Sequence, residues 1–347
     1  MLLKRPHRRL RQKSPQLLGY SGSEDGCYHS GNFLLSGGVS RQEAKFAALR
    51  KVLQGEPVPA IACRDNVMTS LVIGATGIVG GHIVDQLVRA GERPLALSRF
   101  TRNSATDVEW LKGDLAEPAI LKLPPVTTLY CTAHAGLLAN ALPRFYSPLL
   151  TRVVAFTSTS IVTKIDSDIV AERESVRLWA EAEQKLISTC DSLGVAWTVL
   201  RPTIIYDEGR DANITRLSRL IQKLGFMPLA GSGSGLRQPV HAEDLAIGAL
   251  AAAASPAAIN KIYAIPGKDT ITYREMVGRI FDGLHKQRRI IPIPPALWRA
   301  AFSLTKPFIP NANVAMGNRM AKDMIFDSAP AMEDFGWNPR EFRPKFD

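Results

Sequence analysis

One glycine-rich segment constrains the fold of this chain more than any other. The apolar run at 71–73 predicts a buried strand, and the glycines that follow predict a tight turn opening a helix at 78–90. In such a turn Gly74 permits the sharp bend, Gly77 lets the backbone approach a pyrophosphate, and Gly80 lets the helix pack on the strand. The helix N-terminus then attracts phosphates. The segment therefore predicts dinucleotide binding, the alternative being a glycine-rich turn in another kind of α/β protein.

The glycine spacing resembles that of the short-chain dehydrogenase/reductase superfamily, in particular the extended and atypical branches of NAD-dependent epimerases and dehydratases that act on nucleotide sugars. Later segments fit the same pattern: Asp114 after the third strand, 157–160 after the fifth, 201–206 after the sixth, and 238–246, which closes over the substrate. The resemblance runs from about residue 69 to the end. It implies a Rossmann-type α/β fold, with a doubly wound parallel sheet and a small C-terminal α/β substrate lobe.

The resemblance also implies a nicotinamide dinucleotide as cofactor. The residues it assigns to cofactor binding are Gly74, Thr76, Gly77, Ile78, Val79, Gly80, Ser98, Arg99, Asp114, Leu115, Ala133, Arg201, Pro202 and Thr203. NAD-preferring sites place an acid at the end of the second strand, whereas an Arg accommodates the 2′-phosphate of NADP. Because Ser98 and Arg99 stand there without an acid, NADP is favoured over NAD. A solvated Arg99 is the alternative.

Catalysis in the superfamily uses a Tyr as acid/base, a Lys four residues later, and a Ser or Thr after the fifth strand. Aligning the Ala-Glu-Ala-Glu-Gln sequence at 180–184 puts Ser175 at the Tyr position and Trp179 at the Lys position. No Tyr with a Lys four residues later occurs anywhere in the chain. The resemblance leaves Thr159 or Ser158 to polarise the substrate.

Other residues are implied to support the reaction. The resemblance places Gln238 and His241 at the substrate, and Tyr206, Asp207 or His241 are candidates for a replacement acid/base. Two functions remain open. One is an NAD(P)-dependent oxidoreductase or epimerase acting on a nucleotide sugar or similar polar small molecule, and the other is a dinucleotide-binding sensor or assembly protein without turnover.

Composition bounds the remaining partners. Of 347 residues, 46% are hydrophobic and 22% charged, which is typical of soluble proteins. The four cysteines lack a C-x-x-C pair, so we expect no metal site and a reducing, cytoplasmic compartment. The net charge of +11 is not accompanied by a recognition motif for nucleic acid, so we expect no nucleic-acid partner.

The interval between the fourth and fifth strands bears on oligomerisation. It has about twenty residues, which is short for the helix through which members of the family dimerise, and homo-oligomerisation is left open.

Three divisions of the chain are predicted. Residues 1–67 hold 11 Lys and Arg against 5 Asp and Glu and form a disordered or non-native N-terminal extension: a transit-type presequence, a basic tail, or, as we favour, upstream sequence before Met68. Residues 68–255 form the NAD(P)-binding domain, and 256–347 form the substrate lobe, which shares 203–240. A helix at 296–306 is apolar enough to rest on a membrane, but we favour a buried lobe helix and expect no membrane association.

Overall fold

The computed structural model describes residues 69–104, 106–167, 169–294, 296–298 and 319–346. The extension predicted at 1–67 and most of the helix considered at 296–306 lie outside these residues. Within them, the helices and strands in chain order are β1 (Ser70–Ile73), α1 (Ile78–Arg89), β2 (Leu95–Ser98), β3 (Glu109–Lys112), β4 (Thr128–Cys131), α2 (Ala135–Phe145), β5 (Arg152–Phe156), α3 (Ser160–Thr163), α4 (Val170–Leu193), β6 (Ala196–Pro202), β7 (Ile205–Tyr206), α5 (Ile214–Leu224), β8 (Met227–Ala230), β9 (Leu236–Arg237), β10 (Val240–His241), α6 (Ala242–Ala254), a 3-10 turn (Pro256–Ala258), β11 (Lys261–Ile265), β12 (Ile271–Thr272), α7 (Tyr273–Gly283), β13 (Ile290–Ile293) and α8 (Ala329–Phe335).

Seven parallel strands form the central sheet, in the order β11-β6-β5-β4-β1-β2-β3. Successive side chains of a strand point to opposite faces, and here both faces are covered. On β1, Leu71 and Ile73 join the apolar layer beneath α2 and α4, whereas Val72 joins the layer beneath α1 and α6. Strand order reverses between β1 and β4, which is where ligands bind in open α/β sheets. The predicted Rossmann-type fold is confirmed.

A third apolar cluster lies apart from the sheet. It joins α5, α7 and the two-stranded parallel pair of β8 and β13 around fully buried Ile221 and Phe281. The strand β11, which the sequence places in the lobe, is instead the edge strand of the main sheet, and Trp337 packs beneath α6 in the sheet's own core. The predicted domain division at residue 256 stays a prediction, although β11 and the segment around Trp337, both after residue 256, pack with the main sheet.

The short connection between β4 and β5 contains the helix α2, and this helix includes a proline, Pro143. Pro143 stands in the last turn of α2; because it has no N–H, the helix loses one hydrogen bond to the carbonyl four residues earlier but continues to Phe145. Among the described helices, none is both long enough and apolar enough to cross a membrane.

Candidate functional site

The turn after β1 shows why each of its glycines is needed. Gly74 has φ of +81°, and a Cβ there would lie 2.3 Å from Thr132 Oγ1. A Cβ on Gly80 would lie 2.2 Å from the Gly74 carbonyl oxygen. Gly77 differs, since its φ is −79° and its nearest protein neighbour would be the Gly74 oxygen at 3.2 Å. Packing of the protein itself excludes a side chain at Gly74 and Gly80, whereas at Gly77 a Cβ would meet one backbone oxygen in a tight but milder contact. Gly77 is also exposed, so a ligand can reach it.

The N-terminus of α1 is available to an anion. Gly77 is its N-cap, no side chain accepts a hydrogen bond from the first turn, and that turn carries no acid. The free N–H groups therefore carry the positive end of the helix dipole toward exposed Thr76 and Gly77. Val79 is buried beneath the turn and fixes the helix on the sheet. This cradle fits the pyrophosphate of a dinucleotide.

A cavity of about 350 Å³ opens where β4 and β5 end. Most of its wall is apolar, and its residues are Thr132, Ala133, His134, Ala135, Phe156, Thr157, Ser158, Ser160, Ile161, Trp179 and Ala182. We call it the inner cavity. His134 is the ionisable member of this wall, and its Nδ1 accepts the Gly136 N–H at 3.2 Å, which caps α2. Ala133 lies in this wall, and its role toward a cofactor stays a prediction.

A second cavity, of about 400 Å³, is lined from both the sheet and the lobe. We call it the outer cavity; it shares Ser158 and Ser160 with the inner one. Its other wall residues are Thr159, Thr163, Lys164, Thr203, Ile204, Ile205, Asn213, Arg237, Gln238, Tyr273, Arg319, Met320, Met324 and Phe326. All charged residues in this described lining are cations. The cavity is therefore suited to an anionic ligand.

Arg237 is the most deeply buried of those cations, with 3% of its surface exposed. It donates hydrogen bonds to three backbone carbonyls, of Leu236, Lys322 and Arg319, and its guanidinium lies 5.5 Å from the centre of the Tyr273 ring. Burial lowers the pKa of Arg237 because it penalises the charged form. Arg319, by contrast, is paired with Glu172 at 2.5 Å. Among the described residues no carboxylate forms an ion pair with Arg237, so an anionic ligand would supply the missing counter-charge.

Four hydroxyl residues follow β5, and they have different partners. Thr157 donates to Glu183 at 2.7 Å, and Thr159, which is 6% exposed, donates to the Pro202 carbonyl at 2.9 Å. Ser158 Oγ accepts the Ser160 N–H at 3.1 Å, which leaves the hydroxyl proton of Ser158 free to be donated. Ser158 also lies in the walls of both cavities. The geometry therefore favours Ser158 over Thr159 as the polarising hydroxyl.

The end of β6 and the residue that follows it are held by an ion pair and hydrogen bonds. Arg201 forms an ion pair with Glu183 on α4, and its Nε donates to Glu183 Oε2 at 3.0 Å. The Thr203 hydroxyl donates to the Gln238 backbone carbonyl, and Pro202 receives the Thr159 bond. These contacts hold α4, β5 and β6 together beneath the two cavities. Thr203 reaches the outer cavity, whereas Arg201 is engaged by Glu183, a partner that the sequence analysis missed.

The residues assigned to the adenosine end surround the ends of β2 and β3. Ser98 is buried and its Oγ accepts the Phe100 N–H at 3.2 Å, while Arg99 is exposed and has no ion pair among the described residues. Asp114 accepts the Ala116 N–H at 2.9 Å and forms a tight turn, and Leu115 is buried in the core. The roles of these four residues toward a cofactor stay predictions. The guanidinium of Arg99 has no carboxylate partner among the described residues and is open to a ligand.

The helix α4 carries Ser175 and Trp179, the two residues that the resemblance aligns with the superfamily's Tyr and Lys. Trp179 lines the inner cavity with 38% of its surface exposed. Ser175, one turn earlier, donates its hydroxyl to the Ala171 carbonyl of its own helix at 2.8 Å. The structure places the Trp179 indole in the cavity wall. The resemblance leads us to expect a Lys ammonium at this position. Neither side chain offers an acid of suitable pKa.

The residues considered as replacement acid/base do not line either cavity. His241 caps α6 through Nδ1, which accepts the Glu243 N–H at 3.1 Å, and its Nε2 lies 3.2 Å from Glu208 Oε2. Asp207 is held 3.2 Å from both His82 and Arg210. Burial raises the pKa of the Tyr206 hydroxyl, which makes it a weaker acid. Gln238 does line the outer cavity, but its amide bonds Thr270 and the Phe326 backbone, so it holds the wall together.

Three of these side chains, Asp207, Glu208 and His241, have ligand atoms within 4.8 Å of one another. His241 Nδ1 accepts a backbone N–H and therefore carries no proton, so the single proton of the neutral ring is on Nε2. That proton suits the contact with Glu208 but occupies the atom a metal would need. The cluster is accounted for by hydrogen bonding, and the expectation of no metal site stays a prediction.

Comparisons with known proteins agree with this fold. No protein-family model matches the chain. The chain is 25% identical to the mitochondrial NADH dehydrogenase [ubiquinone] 1 alpha subcomplex subunit 9 of Arabidopsis thaliana, covering 80% of this chain and 75% of that protein. It is 24% identical to the UDP-glucose 4-epimerase of Vibrio cholerae over 46% of this chain and 47% of the epimerase.

A solved structure shows the same architecture. The UDP-glucuronic acid 4-epimerase of Bacillus cereus, in complex with UDP-glucuronic acid and NAD, superposes with a TM-score of 0.58 at 13% identity, over 79% of this chain and 94% of that chain. The present chain thus has the Rossmann-type fold of the NAD-dependent epimerases and dehydratases, the extended short-chain dehydrogenases/reductases. The predicted resemblance is confirmed at the level of fold.

Proposed function

We propose that this chain binds a nicotinamide dinucleotide and an anionic, nucleotide-sugar-like substrate, and that it carries out hydride transfer between them as an oxidoreductase or epimerase. The observation that carries the proposal is the pair of cavities that share Ser158 and Ser160. The inner cavity lies at the same end of the sheet as the glycine turn. The charged residues in the wall of the outer cavity are cations, of which Arg319 is paired with Glu172 and Arg237 has no carboxylate partner among the described residues. Two ligands would meet where the walls are shared.

The cofactor would extend along the carboxyl ends of the strands. Gly77 and the α1 N-terminus receive the pyrophosphate, Ser98 and Arg99 the adenosine ribose, and the inner cavity the nicotinamide end. The free charge of Arg99 favours NADP over NAD, because it offers a partner for a 2′-phosphate. The NAD-bound epimerase structure supports the class of cofactor, and the choice between the two rests on Arg99 alone.

The outer cavity would bind the substrate through the positive charge of its wall. Arg237 is buried without a carboxylate partner among the described residues, and Lys164 lies in the same wall. A diphosphate brings the negative charge that such a buried guanidinium needs, and Arg can bind it with two parallel hydrogen bonds. The sugar of a nucleotide sugar would then lie toward Ser158. The relatives named as acting on, or bound to, UDP-sugars support this substrate class.

When bound, the nicotinamide cofactor would accept a hydride from the substrate and, in an epimerase, return it. This chain's part is to place the reacting carbon near the nicotinamide, to keep water out with the apolar inner wall, and to donate the Ser158 hydroxyl to the substrate oxygen. The Tyr and Lys relay is absent, since Ser175 bonds its own helix and Trp179 carries no proton of suitable pKa. General acid–base catalysis contributes about a hundredfold to ten-thousandfold, so turnover should be slower than in relatives with the relay by roughly that factor.

A second function is favoured by the same two positions. Ser175 and Trp179 leave the cofactor cradle intact while removing the relay, which is what a dinucleotide-binding sensor or assembly subunit would show. The Arabidopsis relative is named as a subunit of NADH dehydrogenase, which supports this alternative. Turnover separates the two functions, because both predict cofactor binding.

The test combines binding with turnover. The full chain is mixed with NADP or NAD and with UDP-glucose or UDP-glucuronic acid, and melting temperature, nicotinamide absorbance and sugar products are recorded. Oxidoreductase or epimerase function predicts stabilisation by both ligands together with slow product formation that Ser158→Ala abolishes. Stabilisation by the cofactor with no product from any sugar would favour the sensor or assembly function. Absence of stabilisation by either dinucleotide would contradict both.

A further inference from the structure

Charge is unevenly distributed along this chain. From residue 68 onward it contains 32 Lys and Arg and 27 Asp and Glu, a modest net charge of +5. Two segments, 212–242 and 283–322, contain 11 of those cations and no acid at all. The remainder of 68–347 is therefore net negative by 6. The described parts of both segments contribute to the apolar cluster of α5, α7, β8 and β13, so cations are concentrated around this cluster and not averaged over the surface.

The helix α5 displays this charge on its outer side. Its buried side faces the lobe core through Ile214, Ser218 and Ile221. Its exposed residues are Arg216, Arg219, Leu220, Gln222, Lys223 and Leu224. Arg216 and Lys223 have no ion pair among the described residues. The two leucines stand four positions apart on one side of the helix, 37% and 42% exposed, between the cations.

The second acid-free segment lies beside the end of this helix. The strands β8 and β13 are parallel with Met227 opposite Ile290, and the Met227 N–H donates to the Arg289 carbonyl at 2.8 Å. Because α5 ends two residues before β8 begins, its C-terminus lies next to the start of β13. Lys286 and Arg289 are exposed there, and Ile291 is 48% exposed. Cations and apolar side chains thus continue from α5 onto β13.

From this arrangement we infer that the outer side of α5 and the start of β13 form a docking surface for a membrane containing acidic phospholipids. Anionic headgroups are attracted by unpaired Lys and Arg, while Leu220, Leu224 and Ile291 can enter the headgroup region. A basic helix with apolar side chains on its exposed side is typical of interfacial binding. This surface is distinct from the two cavities, and it differs from the 296–306 helix considered from the sequence.

The apolar component distinguishes a membrane from a nucleic acid. Single-stranded nucleic acid is usually held by cations together with aromatic side chains on which bases stack. The exposed apolar side chains of this surface are aliphatic, which provide no stacking face but partition into lipid. An acidic membrane is therefore the partner whose chemistry matches both the charge and the aliphatic residues.

The test is sedimentation of the full chain with vesicles of phosphatidylcholine alone, or of phosphatidylcholine and phosphatidylglycerol in equal amounts. We expect binding only to the acidic vesicles, weakening as salt is raised. Arg216→Gln with Lys223→Gln should lower the partition coefficient roughly tenfold or more. The matched control, Lys122→Gln with Arg144→Gln, removes one exposed Lys and one exposed Arg elsewhere, so it has the same net charge as the first variant, and it should bind nearly as well as the wild-type protein.

The apolar component has its own variants. Leu220→Ser with Leu224→Ser should lower binding at every salt concentration. Leu137→Ser with Leu149→Ser, which changes two leucines exposed elsewhere on the protein, should not. All variants retain the basic residues 1–67, so differences between them report on α5. An equal loss of vesicle binding in the Arg216/Lys223 variant and in the Lys122/Arg144 control would overturn the proposal. So would an unchanged partition of the Leu220 and Leu224 variant, or tighter binding of a single-stranded RNA than of acidic vesicles with the same charge dependence.

Discussion

The Thr159 hydroxyl donates a 2.9 Å hydrogen bond to the Pro202 carbonyl, and this bond joins the end of β5 to the end of β6. It engages the hydroxyl that the family alignment puts first for catalysis. Ser158, its neighbour, keeps its proton free and lies in the walls of both cavities. The two residues therefore have separable roles, one structural and one toward the substrate.

Substitution of these hydroxyls should separate turnover from stability. We expect Ser158→Ala to lower kcat about a hundredfold or more, as loss of a polarising donor does, with little change in melting temperature. Thr159→Val removes a buried hydrogen bond and should lower the free energy of unfolding by about 1 to 3 kcal/mol, with a smaller effect on kcat. Kinetics and thermal unfolding of the two variants check this. A larger kcat loss in Thr159→Val than in Ser158→Ala would return the catalytic role to Thr159.

Restoring the missing relay offers a gain of function. Ser175 and Trp179 stand four residues apart on α4, so Tyr and Lys at these positions would lie on one side of the helix. We expect Ser175→Tyr with Trp179→Lys to raise kcat, by up to the hundredfold to ten-thousandfold that general acid–base catalysis contributes. Ser175→Ala is the control and should leave kcat unchanged. No gain in a double variant that still binds the cofactor would show that the helix has been misaligned.

Arg237 should be needed for anion binding. We expect UDP to raise the melting temperature of the wild-type protein, because a ligand that binds only the folded state stabilises it. Arg237→Met should abolish that increase, whereas Arg237→Lys, which keeps the charge, should retain part of it. The variants lose hydrogen bonds to three carbonyls and melt lower on their own, so the quantity compared is the shift that UDP causes. An equal shift in Arg237→Met would place UDP elsewhere.

Cofactor choice depends on Arg99. We expect tighter binding of NADPH than of NADH, since a charge-assisted hydrogen bond to the 2′-phosphate contributes where an acid would repel it. Arg99→Ala should reduce the preference roughly tenfold to a hundredfold. Arg102→Ala is a suitable control, because Arg102 stacks 4.9 Å above Trp110 and is engaged there. Titration calorimetry with both cofactors measures the ratio, and equal affinity in the wild-type protein would contradict the role of Arg99.

The sequence predicted what depends on local pattern. The order of strand, glycine turn and helix at 71–90 needs no distant partner, and the structure has the strand at Ser70–Ile73 and the helix at Ile78–Arg89. Contacts between distant segments were not visible. Glu183 looks like any helical acid until Arg201 is folded against it, and β11 reads as a lobe strand until it pairs with β6.

The candidate site shows the same division. His241 lies in a segment that resembles the substrate-closing part of the family, yet its Nδ1 caps α6, and only the fold reveals that it stands away from both cavities. Arg237 could not be identified from the sequence, because a single Arg in a strand is common and does not by itself indicate a binding site. The absence of any acid in 212–242 was the available signal, and it gains meaning once Arg237 is seen to be buried.

The central claim is that the turn after β1 binds a dinucleotide, and Gly77 tests it most directly. The Cβ of a side chain at Gly77 would make one tight protein contact, 3.2 Å from the Gly74 carbonyl oxygen, and the side chain would fill the space predicted for the pyrophosphate. Gly81, four residues later, has ordinary contacts from 3.6 Å and no predicted ligand. Calorimetric titration of NADPH into wild type, Gly77→Val and Gly81→Ala is the measurement. We predict binding by the wild type and Gly81→Ala, and none by a folded Gly77→Val. Equal affinity in all three proteins would contradict the account.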